Sequence, residues 1–136
     1  MLYIFESYLK KTNGAFVQDK FSEALLEICI KYCPIALKDL KNYEARANLM
    51  WASSMASNGL CGSGKLEAWT CHPIGHELSV FYNITYGVGL AILTPRWMRY
   101  ILSDETVDKF VDYAVNLQYA YIPLNEDDVN KIINFH

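Results

Sequence analysis

The strongest constraint on this chain is a periodicity. Apolar residues recur every three to four positions along most of its length, and no stretch keeps the apolar–polar alternation of a half-buried strand. A chain with only the helical period buries its apolar sides by packing helices on helices. "MLYIFESYLKK" places Leu2, Phe5 and Leu9 on one side, and Asn13-Gly14 stops it. Asp19 and Ser22 precede "EALLEICIKYC", where Ala24, Leu25, Ile28 and Tyr32 form a stripe, and Pro34 is expected to interrupt or restart that helix. "LKDLKN" reads as a polar loop. "YEARANLMWASSMASN" is rich in strong helix formers, and Asn58-Gly59 closes it with a left-handed cap.

"CGSGK" reads as a flexible turn. "GVGLAILTPRWMRYIL" is expected to be a helix buried on most sides, with a kink at Pro95. "SDETVDKFVDYAVNLQYAY" opens on Ser103 as N-cap and carries Val107, Phe110, Val111 and Ala114 as its apolar face. Pro123 ends that region, and "NEDDVNKIINFH" is a last amphipathic helix with acidic residues at its start. The expected fold class is all-α: one helical bundle over residues 1–136, without repeat or linker.

Composition agrees with a single packed core. The 136 residues are 52% hydrophobic and 20% charged, too apolar to stay disordered. A formal charge of −3 gives no basic footprint, so neither nucleic acid nor an anionic membrane is an expected partner. Cys29, Cys33, Cys61 and Cys71 form no paired C-x-x-C units. With no signal peptide in view, they read as free thiols packed in a core, in a protein of the reducing cytoplasm. No apolar run reaches the length of a membrane span. "GSGK" lacks the spacing of a phosphate loop and "GVG" is not a dinucleotide fingerprint, so no glycine loop here binds a nucleotide.

The chemistry concentrates in "CHPIGHELSVFYNITYG". His72 and His76 stand four residues apart, one above the other on a helix face, close enough to share an ion. Pro73 suits the first turn of a helix and puts His72 at its start. Such a pair serves packing as readily as ligation, and nearby Trp69, Phe81 and Tyr82 read equally well as plain core. A divalent ion wants three or four ligands, and the local stretch offers two.

Three segments carry a resemblance: "FVQDKFSEALLEICIKYCPIAL", "NYEARANLMWASSMASNGL" and "AWTCHPIGHELSVFYNITYGVGLAILTPRWMRYIL". Together they resemble the iron-containing alcohol dehydrogenase family, nearest its NAD(P)-dependent butanol dehydrogenase branch, from about Ile4 to Val115. The resemblance implies the family's C-terminal helical, metal-bearing domain, with the N-terminal dinucleotide-binding domain absent from this chain. It implies Fe2+ or Zn2+ and NAD(P) as cofactors of the intact family, and a primary alcohol or aldehyde as substrate. It makes His72 a metal ligand and His76 a catalytic residue near the nicotinamide and substrate.

Against that pattern this sequence departs at three of the four ligand positions. The upstream Asp would precede Met1, an upstream His falls on Tyr3, and the last ligand His, in a "THG" triplet, falls on Tyr86 in "TYG". A neutral phenol is a poor ligand for ferrous iron. The expectation is therefore an inactive, truncated helical fragment that holds neither cofactor in the family manner. The alternative is a non-catalytic domain docking on a nucleotide-domain partner. Helices that face a cofactor cleft in the family would then expose apolar surface and promote self-association.

Overall fold

In the computed structural model of the chain, residues 1–10, 14–65 and 69–118 are described. Helices joined by turns and short loops make up these residues, with no strand among them. Six α-helices follow in order: α1 (Leu2–Tyr8), α2 (Phe16–Lys38), α3 (Tyr43–Ser57), α4 (Cys71–Tyr82), α5 (Tyr86–Ile101) and α6 (Val107–Tyr113), the last running into a π-helical turn over Ala114–Gln118. The expected all-α class holds. Pro123, the C-terminal helix and Asn13 of the expected stop lie outside the described residues.

The helices assemble as two groups. α1, α2 and α3 pack on one another, and α4 pairs with α5 as a hairpin. Leu2, Ile4, Phe5, Tyr8 and Leu9 from α1 meet Leu25, Leu26 and Cys29 of α2 and Ala52 of α3 in the core. Trp97 carries α5 into the same cluster. α1 is buried on nearly every side, Glu6 and Ser7 included, which makes seven residues the centre of the bundle.

Several boundaries differ from the sequence reading, each for a physical reason. α2 begins at Phe16, so Asp19 and Ser22 lie within it rather than before it. Its buried side is Ser22, Leu25, Leu26 and Cys29, whereas Ala24 is exposed. Pro34 neither stops nor restarts this helix, which runs on to Lys38. Pro34 and Pro95 both face solvent, where water can take the carbonyl that each deprives of its helical donor. α5 is buried only at Gly89 and Trp97, not on most sides. Phe81 and Tyr82 are 74% and 72% exposed and are not core. Ser103 caps a turn ahead of α6, and Thr106 stands at the N-cap. The Asn58-Gly59 stop holds, with Gly59 at φ +89°.

Charged groups also tie the first bundle together. Asp19 of α2 accepts from Lys65 Nζ at 2.5 Å and from Lys109 of α6. The Lys65 ammonium, its side chain 1% exposed, also donates to the Ser7 carbonyl at 3.1 Å. One turn on, Glu23 accepts from the Tyr8 hydroxyl and the Asn116 amide, each at 2.9 Å, and from Lys20. Burial, then Glu23, pushes the Tyr8 phenol well above its ordinary value, so it stays a donor. Every ion here is paired, the condition under which buried charge is tolerated.

Asp19→Ala strands the Lys65 ammonium in the core and should cost about 3–5 kcal/mol. Lys20→Ala removes a half-exposed partner of Glu23 and should cost less than about 1 kcal/mol. Urea melts of the two variants check the contrast. Equal losses would mean the Asp19 pair contributes no more than a surface ion pair.

Candidate functional site

The start of α4 has no cap of its own. Thr70, the N-cap residue, makes no side-chain capping bond. The first amide groups of a helix need acceptors, and Glu6 of α1 supplies one from across the fold. Its Oε1 accepts from the Thr70 amide at 2.7 Å and the Cys71 amide at 2.5 Å. Its Oε2 meets His72 Nδ1, which donates to the carboxylate. The carboxylate is wholly buried and sits at the positive end of α4. With Nδ1 committed to Glu6, the lone pair of His72 is at Nε2.

Aromatic rings surround that imidazole. Tyr3 meets it edge-on with centroids 4.4 Å apart, and Trp69 does so at 4.9 Å. Tyr3 and Trp69 touch each other at 4.8 Å, so the three rings form one cluster. Tyr86, at the start of α5, stands 6.5 Å from His72 and stacks on His76 at 4.6 Å with planes 20° apart. Gly75 makes this approach of α4 to α5 feasible. A Cβ there would lie 2.6 Å from Leu90 Cδ2 and 3.0 Å from Tyr86 Cε2.

The residues singled out from sequence thus converge: His72 is buried, His76 is exposed one turn further on, and Tyr3 and Tyr86 lie against them. Glu6 and Trp69 complete the group. Glu6 went unnoticed, although its place three residues after Tyr3 in "YIFE" puts the two side by side on α1.

An iron or zinc ion does not fit this donor set. His72 offers one imidazole nitrogen, and the rings around it, Tyr3, Trp69 and Tyr86, are two phenols and an indole. Burial, then the neighbouring Tyr3 and Glu6, raises the Tyr86 phenol above its ordinary value, so it carries its proton at neutral pH. Among the described residues no group of three or more His, Cys, Asp or Glu could hold a metal ion.

Glu6→Ala removes the acceptor for two amides and an imidazole at once, and should cost about 3–5 kcal/mol. Glu6→Gln keeps one acceptor oxygen and should cost about 1–3 kcal/mol. Denaturant melts give the ranking, and hydrogen exchange at the Thr70 and Cys71 amides should accelerate in the alanine variant. Unchanged exchange there would mean that Glu6 does not cap α4.

Comparison with known proteins bears on the same residues. The sequence model of the Fe-containing alcohol dehydrogenase family, C-terminal, matches residues 1–134. The NADH-dependent butanol dehydrogenases A and B of Clostridium acetobutylicum are each 59% identical over 117 residues, which is 86% of this chain and 30% of either protein. The solved structure of the substrate- and cofactor-free aldehyde reductase YqhD from Escherichia coli superposes with a TM-score of 0.81 at 32% identity. It covers 97% of this chain and 34% of its own. The chain spans about a third of the length of the proteins it matches. It belongs to the iron-containing alcohol dehydrogenase family and carries that family's C-terminal helical domain.

Proposed function

We propose that this chain derives from an alcohol- or aldehyde-converting NAD(P)-dependent oxidoreductase and has no metal-assisted hydride transfer of its own. The observation that carries it is the pair of tyrosines against His72: the chain keeps the Glu6-oriented imidazole while Tyr3 and Tyr86 fill the places of further donors. The names of the relatives support the reaction class, since they are butanol dehydrogenases and an NADPH-dependent aldehyde reductase. In an intact member the nicotinamide would carry the hydride and the metal would polarise the substrate oxygen. In this chain His72 is the remnant of that site. His76, exposed and stacked on Tyr86, is the residue positioned to meet a substrate.

Two measurements test the reading. The purified chain with Fe2+ or Zn2+ should show no turnover of butanol with NAD+ or NADP+, nor of butyraldehyde with the reduced cofactors. Metal-dependent turnover above a blank would sink the proposal. The variant Tyr3→His/Tyr86→His should place three imidazoles together with one coordination position open, enough for zinc. It should melt higher on adding zinc, by the linkage of binding to folding, whereas the parent should respond far less. A parent that responds as strongly would show that the tyrosines do not occupy vacated ligand positions.

A specific feature favours a second reading, a helical module that docks on a nucleotide-domain partner. α4 and α5 leave Val80, Phe81, Tyr82 and Val88 more than half exposed, an apolar face of the kind that marks contact surfaces. Sedimentation of the chain with the separately expressed N-terminal domain of a butanol dehydrogenase should then give a faster-moving complex. Two independent boundaries would count against docking.

A further inference from the structure

Cys29 and Cys33 stand one turn apart on α2, and both line a cavity of about 370 Å³. The helix continues through Pro34 to Lys38, so the two positions keep helical spacing. At i and i+4 their Cβ atoms lie about 5–6 Å apart. A disulfide needs about 3.5–4.5 Å, so this geometry disfavours one, and both thiols are free. An ion bridging two sulfurs needs two bonds of about 2.3 Å each, a span that rotation about the side-chain bonds can reach. Burial raises the Cys29 thiol above its ordinary value, so a metal binding there has to displace its proton.

The donor count selects the ion. Zn2+ wants four ligands, and no group of three or more His, Cys, Asp or Glu among the described residues could hold a metal. A soft monovalent ion is satisfied by two thiolates in line, and soft sulfur selects Cu+ among the biological metals. Met1, whose thioether is a donor of the same soft class, lines the same cavity. We propose that Cys29 and Cys33 form a two-coordinate thiolate site for Cu+ that opens onto this cavity. On binding, two S–H bonds break and two S–Cu bonds form. Two protons leave to solvent, copper stays cuprous, and nothing is oxidised or reduced.

Tyr3, His72 and Tyr86 line the same cavity, so the test is directed at the thiols themselves. The fully reduced chain is titrated anaerobically with Cu+ against a coloured cuprous chelator, with native mass spectrometry for stoichiometry. One ion per chain is expected for the parent and for Cys61→Ser, with loss of binding in Cys29→Ser and in Cys33→Ser. Iodoacetamide labelling should be slowed by Cu+ at Cys29 and Cys33 and unchanged at Cys61. Cys33 is half-buried, so its serine variant disturbs the core least, and its retained helical circular dichroism makes it decisive alone. Retained binding in Cys33→Ser, or an ion that binds only between two chains, overturns the proposal.

Discussion

The buried carboxylate of Glu6 joins the two halves of the molecule. It is one acceptor group serving two backbone amides and one imidazole, all on the first turn of α4. The other links are apolar: α4 packs mainly on α5, Cys71 and Trp97 enter the core, and Leu90, Leu93, Met98 and Ile101 pack against it. The carboxylate thus performs two tasks. It completes a helix that lacks a cap of its own, and it fixes the ring orientation of His72.

That arrangement gives the His72 imidazole a structural role, since it helps to hold the start of α4 through Glu6. Tyr3 packs edge-on against that imidazole and tilted against Trp69, while Tyr86 stacks on His76, and none of these contacts leaves a charge unpaired. The outcome is an oriented imidazole enclosed by aromatic rings.

Polar burial elsewhere follows the same rule. Asp19 and Glu23 lie on one face of α2 a turn apart, where a sequence reading expects apolar residues or a helix cap. Lys65 and Lys109 match one and Tyr8 and Asn116 the other, all from outside α2, while Lys20 adds a local i,i+3 partner to Glu23. Apart from Lys20 these donors are distant in sequence, so no local pattern announces them.

The sequence by itself determined the class of fold and the place of the chemistry. Helical periodicity without strand alternation leaves helix-on-helix packing as the only way to bury this much apolar surface, and the Asn58-Gly59 stop and Pro73 start fall where local backbone preference puts them. His72 and His76 are legible through their spacing, and Tyr3 and Tyr86 through the family resemblance. Pro34 and Ala24 were misread, since only packing tells which side of α2 meets water. The same limit applied to α5 and to Phe81 and Tyr82, whose apolar character fits a core that this chain does not place over them. Glu6 was invisible as a cap because its partners lie more than sixty residues away. Which acceptor meets which helix start is settled by long-range packing alone, and a hydrogen bond between distant segments has no signature in the composition or period of either.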